Sequence, residues 1–216
     1  MSRQLRSPTR SISNRGDIPR FVGELPSHKA QFGSIKFDSI SALECALYLE
    51  WRSDVVLIEF EPERYALEAT EDLPAIECIP DFRITLNTGE IRLVEAKSDP
   101  KHLKRGAADR LDVIRRQFDA VGMPYEVVYR SELKQNGFID TVFLLRAFGR
   151  LPFDDRVISR ALGRLSPYDS ADLETWALRA RQQHVPQALL NHLLYHQRLP
   201  LRYRKLLHAE IRHWRA

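Results

Sequence analysis

A hairpin near the middle of the chain constrains the fold more than any other feature. Two apolar stretches, residues 79–86 and 91–97, flank an Asn-Thr-Gly loop at 87–89. A three-residue hairpin loop needs its last residue in the left-handed region, which glycine adopts without steric cost. The loop therefore favours the register in which Leu86 pairs with Glu90.

That register determines which polar side chains meet on the sheet. It places Asp81 directly opposite Glu95, whereas a shift of one residue would place Asp81 opposite Ala96. Because side chains at positions i and i+2 of a strand share a face, Lys97 projects beside Glu95. We expect two carboxylates and one ammonium group to form a small patch at the end of this strand.

The composition of this patch matches what metal-dependent phosphodiester hydrolysis requires. Asp81 and Glu95 are candidate ligands, because carboxylates are hard oxygen donors for Mg²⁺, with Mn²⁺ as a substitute. The main-chain carbonyl of Val94 or Ala96 is a further candidate. The cation would polarise a phosphoryl oxygen and lower the pKa of the attacking water. Lys97 would position that water or offset charge on phosphorus.

A third carboxylate lies on an earlier predicted helix, residues 39–51. Glu44 falls on the apolar face of this helix with Ile40 and Leu47, where a carboxylate is costly to bury without a positive partner. A metal ion would be such a partner, so Glu44 is a candidate ligand. The alternative is a capping box between Ser41 and Glu44. A helix that begins at Ile40 would leave Glu44 beyond the capping position.

These residues resemble those of the restriction-endonuclease-like nucleases, the PD-(D/E)xK superfamily. Glu44 on an early helix, Pro80-Asp81 and the later Glu95-Ala96-Lys97 follow the order and spacing of that motif. Over residues 37–130 the chain resembles the TnsA endonucleases of heteromeric cut-and-paste transposons. The resemblance implies an α/β core with a mixed central sheet flanked by helices. It also implies that Glu44, Asp81, Glu95 and Lys97 are catalytic, with magnesium as the cofactor.

The resemblance also implies partners and a substrate. TnsA nicks the 5′ strands of double-stranded DNA at transposon ends, a DDE-type transposase (TnsB-like) cuts and joins the 3′ ends, and an AAA+ ATPase (TnsC-like) links the complex to target selection. Two alternatives stay open. One is a stand-alone restriction, defence or junction-cutting nuclease that uses the same patch. The other is a noncatalytic DNA-binding or scaffolding subunit on a nuclease fold.

Positive charge is concentrated at the N-terminus. Residues 1–36 contain seven Lys or Arg residues against two acidic residues, whereas the whole chain has a net charge of only +4. This stretch is also rich in Ser, Pro and Gly, and it predicts a flexible basic arm that contacts phosphates through Arg3, Arg6 and Arg10. The alternative is a solvated tail. The sequence has no apolar run of bilayer length and no signal-peptide pattern, so we expect a bacterial cytoplasmic protein without membrane contact.

A second basic cluster follows the strand that carries Glu95. Apolar residues at helical spacing predict a helix over residues 104–121, with a basic outer surface. We expect this cluster to hold the DNA backbone, although charged helix faces are often only solvated. Its candidate DNA-binding residues are Lys101, Lys104, Arg105 and Arg110.

The catalytic domain is predicted to span residues 37–149, and a small winged-helix-like domain residues 150–216. Three helices are expected in the second domain, around 158–165, from 171 to 183 with Ser170 as the cap, and from 186 to 195. Such a domain would bind DNA or dock a protein partner. A zinc site at His192 and His196, joined by His208 or His213, is a minor alternative.

Overall fold

The computed structural model of the protein describes residues 21–203, which fall into two compact units that divide between Leu133 and Lys134. The boundary thus lies earlier than the predicted one between residues 149 and 150. The helix that ends at Gly149 belongs to the second unit, because its apolar residues pack with the helices that follow it. Each unit has its own buried core.

From residue 21 onward, the first unit contains eight strands and three α-helices. The strands are β1 (Gly23–Pro26), β2 (Ser34–Phe37), β3 (Val55–Phe60), β4 (Tyr65–Leu67), β5 (Ile76–Cys78), β6 (Phe82–Leu86), β7 (Ile91–Lys97) and β8 (Tyr125–Tyr129). The helices are α1 (Ile40–Trp51), α2 (Ala107–Ala120) and the short α3 (Arg130–Leu133). Strands β3, β6, β7 and β8 form the central sheet in that order, while β1 with β2 and β4 with β5 form two small antiparallel sheets.

The central sheet is mixed. β3, β6 and β7 are antiparallel neighbours, and β8 adds to β7 in the parallel direction after the crossover through α2. The segment after residue 124 therefore extends the sheet. Because β7 and β8 are parallel, the two strands end at the same edge of the sheet. Residues that follow their C-terminal ends are therefore brought close together.

Helices cover both faces of the central sheet, as the sequence predicts for this unit. On one face, Phe118 of α2 stacks on Tyr125 of β8, with ring centroids 5.5 Å apart, and both contact Leu93. Glu126 follows Tyr125 in β8, so its side chain points to the other face of the sheet. There it lies 3.6 Å from Arg52, the residue that caps the C-terminal end of α1. α1 and α2 thus pack against opposite sides of β7 and β8.

The hairpin has the register that its loop predicts. Phe82 pairs with Val94, and the Leu86 amide donates to the Glu90 carbonyl at 2.8 Å. Gly89 has φ of 86°, which is the left-handed conformation that the three-residue loop requires. The prediction that Asp81 lies opposite Glu95 follows from this register and is confirmed.

α1 begins where the spacing of its apolar residues predicts. Ser39 is the N-cap and accepts a hydrogen bond from the Ala42 amide at 3.0 Å, so the helix starts at Ile40. Ser41 is therefore already helical, and the alternative capping box between Ser41 and Glu44 is excluded. Glu44 lies in the second turn with its side chain buried.

Part of the predicted N-terminal arm is folded. Strands β1 and β2 form an antiparallel hairpin within residues 21–37, and Leu25, Ile35 and Phe37 are buried. The prediction of a flexible arm is wrong for this part, because these three side chains supply a small apolar face that the basic composition obscured. Arg3, Arg6 and Arg10 lie outside the described residues.

The second unit is helical where it is described. It contains α4 (Phe138–Gly149), α5 (Asp155–Leu165), α6 (Leu173–Gln182) and α7 (Gln187–Tyr195). The buried Trp176 donates from its indole to the Pro200 carbonyl, and a single parallel bridge joins Ala171 to Leu201. Asp172, not the predicted Ser170, caps α6. Throughout residues 21–203, every helix is too short or too polar to cross a membrane.

Candidate active site

Asp81 is held at the start of β6 from two sides. Its carbonyl accepts a hydrogen bond from the Glu61 amide at 2.8 Å, and its side-chain Oδ2 accepts one from the Ala96 amide at 2.8 Å. Burial, and after it the charge of Glu95, raises the pKa of Asp81 to about 7, against the opposing effects of the Ala96 amide and Lys97. The carboxyl groups of Asp81 and Glu95 thus lie close together, and Lys97 only partly offsets their repulsion.

Glu95 is the second member of this acidic pair. Its carboxylate contacts the Lys97 ammonium group, two residues along the same face of β7. The side chain of Glu95 is 15% exposed and that of Lys97 is 32% exposed, so the lysine remains open to a ligand. The predicted grouping of Asp81, Glu95 and Lys97 is therefore present in the structure.

Tyr125 is a neighbour of Glu95 that the sequence did not single out. The phenol hydrogen-bonds to the Glu95 carboxylate, and burial, followed by the charge of Glu95, raises the pKa of Tyr125. In the parallel pairing Tyr125 is opposite Leu93, so its ring lies on the same face as Glu95. The sequence could have indicated this contact only if β8 had been paired with β7 in the correct register. The contact helps to orient the Glu95 carboxylate.

Glu44 is met by an arginine that was also missed. Arg130 follows the last residue of β8, and its Nε lies 3.0 Å from Glu44 Oε2, while Nη2 lies 3.4 Å from Oε1. The Glu44 side chain is 10% exposed and that of Arg130 is 38% exposed. The expectation that a positive group compensates Glu44 is thus fulfilled by Arg130 in this structure.

The donor set at this edge of the sheet is chemically suited to magnesium. Among residues 21–203, no three or more His, Cys, Asp or Glu side chains are grouped so that they could hold a metal ion. Mg²⁺ nevertheless keeps several waters and is commonly bound through one or two carboxylates, which Asp81 and Glu95 can supply. The raised pKa of Asp81 supports this fit, because a cation between the two carboxylates would relieve their repulsion.

No protein-family model and no curated protein matches this chain. The candidate site contains the carboxylates of Asp81 and Glu95, with Lys97 on the same face as Glu95. The predicted Glu44 is not shown to join them: it lies on α1 in an ion pair with Arg130. Acidic oxygen donors beside a cationic hydrogen-bond donor can bind a divalent ion and a phosphate group at once.

The predicted basic cluster lies directly after β7. Lys101 is in a 3-10 turn (Pro100–His102), and Lys104 and Arg105 are exposed in the turn that leads into α2. α2 begins at Ala107, three residues later than predicted, because Gly106 precedes it in the left-handed conformation. Arg110 is exposed and donates to the carbonyl of Glu77 at 3.0 Å. Three of the four predicted side chains are thus on the surface of the segment that joins β7 to α2.

The two histidines of the second unit bind main-chain oxygens. Nδ1 of His192 is 3.2 Å from the Phe148 carbonyl, and Nε2 of His196 is 2.9 Å from the Gly149 carbonyl. They therefore contact the C-terminal end of α4, where orphan carbonyls need partners. This arrangement gives both rings a structural role, in contrast to the zinc alternative. His208 and His213 lie outside the described residues.

Proposed function

We propose that this protein is a magnesium-dependent DNA endonuclease with a restriction-endonuclease-like core. The observation that carries the proposal is the position of Asp81 opposite Glu95, with Lys97 in contact with Glu95 at the same edge of the sheet. A mixed sheet flanked by helices is compatible with that core. The basic residues after β7 supply positive surface close in sequence to the acidic pair.

Each side chain has a distinct task in this proposal. Asp81 and Glu95 would hold the cation, together with a main-chain carbonyl at Ala96 and, as the family resemblance implies, Glu44. When bound, the cation supplies a Lewis acid for the phosphoryl oxygen and a water of lowered pKa. Lys97 donates hydrogen bonds to the attacking water or to a nonbridging phosphate oxygen, where charge accumulates during the reaction. The Ala96 amide keeps the Asp81 carboxylate oriented.

We further propose that the protein acts as a TnsA-like subunit of a heteromeric transposase in the bacterial cytoplasm, at the nucleoid during transposition. It would nick the 5′ strands at transposon ends, beside a DDE-type transposase and an AAA+ ATPase. The second unit is the part of the chain that would dock a partner or DNA. The order of Glu44, Asp81, Glu95 and Lys97 along the chain supports this assignment over an unrelated hydrolase.

The proposed endonuclease activity is tested by comparing DNA nicking by the wild-type protein and by variants in which a carboxylate is replaced by the amide of the same shape. Asp81→Asn and Glu95→Gln preserve side-chain shape, and an asparagine oxygen can still accept from the Ala96 amide, so the fold should persist. We expect both variants to lose strand nicking in Mg²⁺ by at least about a hundredfold, because each removes a charged cation ligand. Glu90→Gln is the matched control, since Glu90 is exposed at the opposite end of the same hairpin and should cut as wild type does.

The substrate and partner conditions separate the candidate functions. The assay uses supercoiled plasmid with the protein alone, and labelled transposon ends with the transposase and ATPase added. Nicking that needs the added proteins supports the transposase subunit, whereas efficient cutting alone favours a restriction, defence or junction nuclease. Wild-type protein that binds DNA but never cuts it, under either condition, would leave only the scaffolding role.

A further inference from the structure

The outer face of α5 carries a row of exposed arginines. The inner face of this helix packs into the core of the second unit through Ala161 and Leu165, with Ile158 and Leu162 partly buried beside them. On the other side of the helix, exposed arginines recur at every fourth position: Arg156, Arg160 and Arg164. Because four residues of an α-helix rise about 6 Å, the three side chains follow one another along the helix axis.

No arginine of this row is neutralised by a carboxylate in the described part of the chain. The side chains of Arg156 and Arg160 make no hydrogen bond and no ion pair with residues 21–203. Arg164 donates to the main-chain carbonyl of Gln183 at 3.1 Å, a contact that does not neutralise its charge. The acidic residues of α5 lie at its start, where the Asp154 carboxylate caps the helix by accepting from the Arg156 amide.

A glycine lies beside the arginine row. Gly163 is exposed within α5, and a Cβ added there would meet no atom of a neighbouring element within 4 Å. Packing therefore does not require glycine at this position, although glycine is unfavourable inside a helix. The small Ser159 is one turn earlier on the same side. A ligand can thus approach the helix backbone more closely here than it could beside a larger side chain.

Charge complementarity favours a polyanion as the ligand of this face. Residues 134–203 contain ten Lys or Arg residues against six Asp or Glu residues, whereas residues 21–133 contain fourteen against twenty-one. The described part of the second unit is therefore basic, and that of the first unit is acidic. Arginine and serine side chains are common donors to DNA phosphates, and such contacts give affinity without reading the base sequence.

We propose that the outer face of α5 binds the phosphate backbone of double-stranded DNA. Arg156, Arg160 and Arg164 donate to phosphate oxygens, and Gly163 allows the DNA backbone to lie close to the helix. The choice of duplex DNA as the polyanion rests on the proposed function. The inference adds that the second unit has a DNA contact of its own, which needs neither the cation nor the acidic pair of the first unit.

Binding of the full chain to a fluorescent DNA duplex in EDTA measures this contact without cleavage. We expect Arg156→Gln/Arg160→Gln to bind at least about tenfold more weakly than wild type, because two phosphate contacts are lost. The slope of log K against log salt should become shallower by about two. Arg64→Gln/Arg92→Gln is the matched control, since it removes the same charge from exposed arginines that pair with glutamates. It should bind DNA as wild type does.

Gly163→Gln tests the close approach separately from the charge. This variant should melt above wild type, because glutamine favours a helix more than glycine does and its Cβ has space. It should nevertheless bind DNA severalfold more weakly, since its side chain stands between the helix and the phosphates. Unchanged DNA binding by Gly163→Gln would overturn the close approach. Should the arginine variant fail to fold, Gly163→Gln still tests the contact.

The outcomes distinguish this inference from the proposed function. Equal affinity and equal salt slope for Arg156→Gln/Arg160→Gln and wild type would overturn the DNA contact, while loss of nicking in Asp81→Asn would still support the nuclease. The contact is also overturned if the arginine variant binds DNA normally but no longer retains an added transposase or ATPase, because the face would then dock a protein. Weaker DNA binding by the arginine variant, together with normal nicking by Asp81→Asn, would support the contact and refute the proposed active site.

Discussion

At the scale of single residues, Asp81 has a strongly perturbed environment at the site. Its carboxylate is fixed by the Ala96 amide and faces Glu95, and burial together with that neighbour raises its pKa to about 7. The hydrogen bond and Lys97 only partly oppose this shift. Ionising this side chain is therefore unfavourable without a nearby positive charge, and a divalent cation would supply one.

The raised pKa of Asp81 predicts a pH-dependent stability in EDTA. Between about pH 4 and pH 7 the folded protein keeps a proton on Asp81 that the unfolded chain has lost, so wild-type stability falls as pH rises through this window. Asp81→Asn removes that titration. Its free energy of unfolding relative to wild type should rise from pH 4 to pH 7, with a slope of at most about 1.4 kcal/mol per pH unit, and then level off.

Urea unfolding at several pH values measures this difference. Asp54→Asn is a control of opposite sign, because the hydrogen bond from Arg52 lowers the pKa of Asp54. That pair adds stability above the ordinary aspartate pKa, and the addition is lost as pH falls. A relative stability of Asp81→Asn that stays constant from pH 4 to pH 8 would show that Asp81 is not perturbed by Glu95 and burial.

At the scale of elements, the sequence predicts features that depend on neighbouring residues, but it does not predict contacts between residues far apart in the chain. The register of β6 with β7 follows from a three-residue loop that ends in glycine, and the start of α1 follows from its N-cap Ser39. Both depend on residues that are near one another in sequence. Arg130 meets Glu44 across 86 positions, and only the parallel addition of β8 to β7 brings them together, so the sequence could not reveal it.

Helix α4 decides where the first unit ends. Leu144 and Leu145 of this helix are buried in the cluster that contains Leu189 and Leu190 of α7. A fragment that ends at residue 133 should therefore fold cooperatively, whereas one that ends at residue 150 exposes the apolar face of α4 and should associate or aggregate. Circular dichroism with thermal melting and size-exclusion chromatography compares the two.

The two fragments also test the assignment of units. A fragment that ends at residue 133 should keep Mn²⁺ binding, because Glu44, Asp81 and Glu95 all lie within it. Full-length protein is the control for affinity. A shorter fragment that fails to melt cooperatively, together with a monomeric and stable longer fragment, would restore the predicted boundary after residue 149.

At the scale of the whole molecule, the basic segments, the acidic pair and the helical unit occupy different parts of the chain. Composition predicted a basic N-terminal arm, but residues 23–37 form a folded hairpin, because three apolar side chains outweigh the basic ones locally. The acidic pair and its lysine lie in the first unit, and the exposed Lys101, Lys104 and Arg105 follow them directly. The second unit has a separate helical core around Trp176. Cleavage chemistry and partner docking would thus be assigned to different parts of one chain.

The central claim is that Asp81 and Glu95 hold a divalent cation beside Lys97. Its most direct test is the anomalous diffraction of Mn²⁺ in crystals of the wild-type protein and of Glu95→Gln. We predict an anomalous peak at about 2.0–2.3 Å from carboxylate oxygens of both Asp81 and Glu95 in wild type, and its loss in the variant. A Mn²⁺ peak elsewhere, with both carboxylates unbound at saturating Mn²⁺, would contradict the claim.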